Sequence, residues 1–180
     1  TYTNECATGV SIKPADYVEI VGSGSRRDVE IIARLPVNQV DQGSQQPLYI
    51  QRSCRVSGVT VRGRNVKNPA HYEAGNLPIA AIWDIDDCEF VHEGATGWAD
   101  TTALGVGQND GSRLTATGST FLSPTSGVGI HNNTGWARGA LATFTGCNLI
   151  GTGDSATSLA VTSQGAGVMS TVNLRGCVLS

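Results

Sequence analysis

The chain has 180 residues and a formal net charge of −3, enough length for one domain with a buried core. Charged residues make up only 15% while glycine occurs 23 times, a balance that suits strands and tight turns and argues against a helical bundle. No apolar run is long enough to span a bilayer, no secretory leader is visible, and the charge argues against a nucleic-acid partner, which needs a clustered basic surface.

Residues 1–15 carry Asn4, Cys6, Gly9 and Pro14 without a sustained period and read as an N-terminal arm or cap. Residues 16–180 read as a single domain. Tyr17–Val21 is apolar enough for a strand and is followed by the turn residues Gly22-Ser23-Gly24-Ser25. Ser25-Arg26-Arg27 is one small basic spot, expected in a solvated turn. Asp28–Ala33 predicts a second strand, and residues 35–47 a polar loop. Leu48-Tyr49-Ile50 then leads into the pattern that organises the rest.

That pattern recurs five times, as Cys54–Val61, Trp83–Phe90, Leu114–Phe121, Ala142–Leu149 and Val172–Leu179. Its anchors Gly58, Asp87, Gly118, Gly146 and Gly176 lie 29, 31, 28 and 30 residues apart. Around each anchor, apolar and polar residues alternate with the period of a strand that has one buried face. One column holds Cys54, Trp83, Leu114, Ala142 and Val172; the next Val56, Ile85, Ala116, Phe144 and Leu174; the last Val61, Phe90, Phe121, Leu149 and Leu179. Glycine or aspartate at the anchor tolerates positive φ, so each copy predicts strand, one-residue corner, strand. Asp28, 30 residues before Gly58, fits a degenerate first copy. A period near 30 is one turn of a solenoid, in which each copy buries its face only by stacking on its neighbours.

Cys88, Cys147 and Cys177 share the small position after the corner with Val59 and Ser119. They read as stacked core thiols, or as a Cys147–Cys177 disulfide across neighbouring rungs. Five cysteines fit no paired framework, the absence of Cys-x-x-Cys argues against structural zinc, and Cys6 is free to bridge to a partner chain. Two stretches, residues 62–78 and 91–102, predict loops rich in groups able to contact a ligand, including Lys67, Asn68, His71, Tyr72 and Glu73 in the first and His92 and Trp98 in the second. In the later copies a further strand precedes the pattern, with Leu104-Gly105-Val106, Val128-Gly129-Ile130 and Leu159-Ala160-Val161 aligned. Polar runs follow each of these strands. Stacked, they make either a hydrogen-bonded turn ladder or a sugar-binding strip of Asn109, His131, Asn132, Asn133 and Gln164, with Trp98 and Trp136 as aromatic platforms.

In rung length and pattern the chain resembles the right-handed parallel β-helix family, which includes pectin-lyase-like enzymes and bacteriophage tailspikes. The resemblance covers residues 48–180 well and residues 16–47 loosely. It implies an all-β, right-handed parallel β-helix of about five to six rungs of about 30 residues. Enzymes of that fold carry acidic or basic groups on the outer face of one sheet. The corresponding cluster here is Asp84 and Asp86, about 7 Å apart on one strand, a spacing at which paired carboxylates can cleave a glycosidic bond. Arg55 sits directly below Asp84 and offers an ion pair instead. Asp87 occupies a corner and reads as structural.

The polygalacturonase-like set and the acid ladder of pectate-lyase-like proteins are not matched. His71, His92 and His131 fall in different rungs at a spacing that fits no ligand set, so neither metal nor cofactor is expected. Two functions follow. The first is a non-catalytic structural or adhesive module of a virion or other extracellular assembly, presenting a surface to cell-surface polysaccharide or to neighbouring subunits, with a homo-oligomer, and by analogy with phage spikes a trimer, covering the open last rung. The second is a polysaccharide depolymerase, hydrolase or lyase, acting on capsular or O-antigen glycans through Asp84 and Asp86.

Overall fold

The computed structural model describes residues 2–4, 11–26, 28–35, 46–74, 80–94, 101–132, 138–163 and 170–180. Among these residues there is no helix, and every extended pairing is parallel. The strands are β1 (Tyr2–Asn4), β2 (Val18–Val21), β3 (Glu30–Arg34), β4 (Leu48–Ile50), β5 (Cys54–Ser57), β6 (Thr60–Arg64), β7 (Ala70–Glu73), β8 (Ile82–Asp86) and β9 (Glu89–His92). They continue as β10 (Thr102–Gln108), β11 (Arg113–Thr117), β12 (Thr120–Ser123), β13 (Ser126–Asn132), β14 (Leu141–Thr145), β15 (Asn148–Gly151), β16 (Thr157–Ser163), β17 (Thr171–Arg175) and β18 (Val178–Leu179).

From β2 onward each strand pairs with the strand three places along. β2-β5-β8-β11-β14-β17 form a first sheet, β1-β3-β6-β9-β12-β15-β18 a second, and β4-β7-β10-β13-β16 a third. The chain is a parallel β-solenoid. Five successive coils, starting at β2, β5, β8, β11 and β14, each give one strand to each sheet, and β17 and β18 open a sixth. The expected parallel β-helix is observed.

The corner explains the tightness of the coil. Gly58, Gly118, Gly146 and Gly176 have φ of 65°, 57°, 60° and 59°, and Asp87 takes the same left-handed conformation at 46°. The strand therefore turns within one residue, and the corner amides still join the ladder. Gly58 N donates to Asp86 O at 3.1 Å, Asp87 N to Thr117 O at 3.0 Å and Gly118 N to Thr145 O at 3.0 Å.

The first coil departs from the expected spacing. Val21 pairs with Ser57, so Gly22, not Asp28, lies beneath Gly58. Eight residues, 22–29, separate β2 from β3 in this coil. Asp28 serves the loop, its carboxylate accepting from Ser25 N at 3.1 Å. Arg26 is docked rather than solvated. Its guanidinium donates to Cys88 O at 3.3 Å and Gly118 O at 3.2 Å and lies 3.3 Å from the Asp87 carboxylate. In the N-terminal stretch, Tyr2–Asn4 adds a strand beside β3, and Ile12 bridges Leu48.

The interior is built from the predicted columns. Val61, Phe90, Phe121, Leu149 and Leu179 follow one another in register, as do Cys54, Trp83, Leu114, Ala142 and Val172. Phe90 and Phe121 are stacked at 5.4 Å, and Phe144 meets Phe121 edge-on at 5.8 Å. The row ends in the sixth coil, where Leu174, Val178 and Leu179 are exposed. The four described cysteines are free thiols, so no Cys147–Cys177 bridge forms; Cys6 lies outside the described residues. The Cys88 thiol donates to Val56 O at 3.4 Å, and the Cys147 thiol to Ala116 O at 3.4 Å, each reaching the coil below.

Residues 62–78 are not one loop. β6 runs through Arg64, and Ala70–Glu73 is a strand of the third sheet. Tyr72, expected in a ligand-contacting loop, points inward and is fully buried, edge-on to Trp83 at 5.8 Å. Its hydroxyl has no hydrogen-bond partner among the described residues, and burial raises its pKa well above the ordinary tyrosine value. An unmade buried hydrogen bond costs stability. Tyr72→Phe is expected to raise unfolding free energy by about 1 kcal/mol in a urea titration; a loss of that size would show that the hydroxyl is satisfied.

Candidate functional site

The third sheet carries the chemistry on its outer face. Its register is Leu48–Ala70–Leu104–Val128–Leu159 and Ile50–Tyr72–Val106–Ile130–Val161 on the inward positions. The intervening outward positions stack Tyr49, His71, Gly105, Gly129 and Ala160 in one column, and Glu73, Gly107, His131 and Thr162 in the next. Large polar side chains in the second coil thus face bare glycine in the third. Side chains lean along the solenoid axis into the space those glycines leave. A Cβ on Gly105 would lie 2.9 Å from Asn68 Nδ2 and 3.2 Å from His71 Cδ2; one on Gly129 would lie 2.7 Å from Thr102 Cγ2.

The longest reach is that of Glu73. Its carboxylate lies over Gly107, so close that a Cβ there would overlap both oxygens. Crossing the third coil brings the carboxylate to His131 of the fourth coil, two strands and about 9.6 Å away along the sheet. Glu73 Oε2 is 3.2 Å from His71 Nε2 and 3.8 Å from His131 Nε2. The two imidazole rings are 5.9 Å apart, and Tyr49 meets His71 edge-on at 5.6 Å. The Tyr49 phenol is pushed up in pKa by burial and by the negative charge of Glu73. Both ring nitrogens of His71 are buried without a hydrogen bond among the described residues, although Nε2 is near the carboxylate. The separation is short but the geometry is not that of a hydrogen bond.

Beside this cluster runs a groove of about 280 Å³ lined by Lys67, Asn68, His71, Thr102, Gly105, Ser126, Gly129, Ile130, His131, Ala160 and Thr162. Asn68 is held at its edge, its amide oxygen accepting from the Thr102 hydroxyl at 2.8 Å. The groove crosses strands of successive coils, so it follows the long axis of the solenoid.

The structure divides the expected sugar-binding strip. His131 faces the groove. Asn109 and Asn132 are buried, with 7% and 1% exposure, and Gln108, at the position paired with Asn132, is fully buried. None of these three amides lines the groove, and the Gln108 amide makes no hydrogen bond among the described residues. Trp98, Asn133, Trp136 and Gln164 lie outside the described residues.

Asp84 and Asp86 sit on the first sheet, and neither lines the groove. Arg55 pairs in register with Asp84, as expected, but its guanidinium lies 3.8 Å from Asp86 and 3.8 Å from Glu19, all three half-exposed. Such surface pairs contribute little.

His92 belongs to neither cluster. It is buried; Gly94 N donates to its Nδ1 at 3.1 Å, so Nε2 carries the proton and donates to Val66 O at 2.8 Å. Burial lowers its pKa and keeps it neutral. Two of the three histidines, far apart in the sequence, are thus brought together around one carboxylate. His71-Tyr72-Glu73 places a histidine and a carboxylate on one face of a strand, and His131 sits in the same column as Glu73 two coils later. Aligning Ala70–Glu73 with Leu104–Gly107 and Val128–His131 exposes this in the sequence.

Compared with protein-family models, with curated proteins and with solved structures, the chain has no significant match in any of the three.

Proposed function

We propose that the protein is a non-catalytic structural and adhesive β-solenoid module that binds an extended polysaccharide along the groove of its third sheet. The observation that carries this reading is the groove itself. It runs along the solenoid axis, has a floor of Gly105, Gly129 and Ala160, and is edged by hydroxyls of Thr102, Ser126 and Thr162, the Asn68 amide and the Lys67 ammonium. A flat floor admits sugar rings, and hydroxyls that both donate and accept match sugar hydroxyls. Lys67 favours glycans bearing carboxylate or sulfate. An extracellular or virion assembly, as a homo-oligomer, is the setting that suits such a module.

Affinity electrophoresis through gels containing uronate-bearing or neutral polysaccharides tests the reading. Retardation is expected in an acidic glycan, weakened at least tenfold by Lys67→Ala and abolished by Ala160→Phe, which fills the groove. Asp84→Asn and Asp86→Asn should leave it unchanged, and no new reducing ends should form. Binding indifferent to Ala160→Phe would remove the groove from the argument. Cleavage lost in Asp84→Asn would replace the adhesive reading with a depolymerase.

A further inference from the structure

We propose that His71, Glu73 and His131 form a binding site for a borderline divalent transition-metal ion of the zinc class. One ligand atom from each residue lies within 4.8 Å of the others. A zinc ion with bonds of about 2.0–2.1 Å places tetrahedral ligands about 3.3 Å apart. Glu73 Oε2 is already 3.2 Å from His71 Nε2, and its 3.8 Å separation from His131 Nε2 closes by a small rotation of one ring.

Two independent observations point to a ligand rather than to a plain ion-pair cluster. The first is His71, whose buried ring nitrogens make no hydrogen bond among the described residues. Buried polar atoms are ordinarily satisfied, and a metal bond at Nε2 supplies the missing partner. The second is the cradle. Gly107 leaves the space through which the Glu73 carboxylate crosses a whole coil, so histidines from the second and fourth coils share one carboxylate. Nitrogen ligands with one carboxylate select zinc, cobalt, nickel or copper over calcium and magnesium, which prefer all-oxygen shells. Three protein ligands are fewer than the four of a closed zinc shell, so water or an oxygen of a bound molecule would complete it. The site stands whether or not a glycan occupies the groove.

The test uses untagged protein stripped with chelator and no glycan. Equilibrium dialysis against Zn²⁺, read by elemental analysis, should give one ion per chain, with Mg²⁺ and Ca²⁺ failing to compete. Co²⁺ should give ligand-field bands without a thiolate charge-transfer band, since the cysteines are not ligands. Affinity should fall at least tenfold in Glu73→Gln and in His131→Asn. Gly107→Ala should produce the same fall although it removes no ligand, because its Cβ displaces the carboxylate. Thermal melting reports whether each variant folds; His131→Asn, a change on the outer face, carries the result if another variant does not. Absence of stoichiometric binding, binding unchanged in these variants, or a thiolate band on Co²⁺ would overturn the assignment.

Discussion

Phe121→Ala is expected to destabilise the protein by about 3–5 kcal/mol, the usual cost of truncating a fully buried phenylalanine. Phe121 occupies the fourth coil of the central row, with Phe90 stacked on one side at 5.4 Å and Phe144 edge-on at 5.8 Å. Its truncation removes both ring contacts. Parallel ladders through β9, β12 and β15 hold the backbone on either side, so the walls cannot collapse freely into the void. The loss therefore combines transfer and cavity terms. Leu179→Ala, in the same column two coils later, should cost under about 1 kcal/mol because Leu179 is 50% exposed. Urea unfolding of both variants gives the comparison. Equal losses would mean that the column is not one graded interior. Because a solenoid is stabilised by nearest-neighbour coils, Phe121→Ala should also broaden the transition by uncoupling the coils on its two sides.

The same graded interior accounts for what could be read from the sequence. The columns were legible because each inward position of the first and second sheets sees one environment in every coil, and selection for a buried apolar side chain leaves a period of about 30. The corner was legible for a related reason: positive φ restricts it to glycine or aspartate, and Asp87 obeys with φ of 46°. The first coil breaks the spacing because eight residues lie between β2 and β3, a length that the interval between Asp28 and Gly58 conceals.

The third sheet was harder to read. From the corner to the first aligned residue of its strand the chain takes 12 residues at Ala70, 17 at Leu104, 10 at Val128 and 13 at Leu159. A fixed period cannot find strands whose approach varies this much. The outward columns are also irregular, because the groove depends on their irregularity. Tyr49 and His71 stand below Gly105 and Gly129, and Glu73 below Gly107. Glycine within a strand reads locally as a break, yet here it makes room for the side chain of the preceding coil. The grouping of His71, Glu73 and His131 is thus not visible in the sequence until Ala70–Glu73 is recognised as a strand of this sheet. The burial of Asn109 and Asn132 is hidden for the complementary reason: polarity alone does not reveal which face of a strand a residue occupies.

Raising the pH from 9 to 11 should cost roughly 2 kcal/mol of stability through Cys88 alone, with a slope between those values that approaches about 1.4 kcal/mol per pH unit. Cys88 is fully buried after the Asp87 corner. Burial pushes its thiol from 9.0 up to about 11, the backbone groups around the sulfur offset only part of that shift, and the nearby Asp87 charge adds to it. Here a buried acid has a folded-state pKa above its unfolded one. Above pH 9 the unfolded chain releases the proton while the folded chain retains it, so unfolding is favoured progressively until the folded thiol titrates near 11. Below pH 9 both states are protonated and the contribution to pH dependence vanishes. Cys54, also raised to about 11, and Cys147, raised by burial, push in the same direction. Urea midpoints at pH 8, 9, 10 and 11 for the parent and for Cys88→Ala isolate the effect. Titrations of groups remote from Cys88 are common to both proteins and cancel in the difference. The variant is less stable at neutral pH because it leaves a small cavity, but its decline above pH 9 should be shallower by the slope given. Parallel declines would show that the thiol is not held in the stacked column between Val59 and Ser119, and the close contact between successive coils at that corner would have to be redrawn.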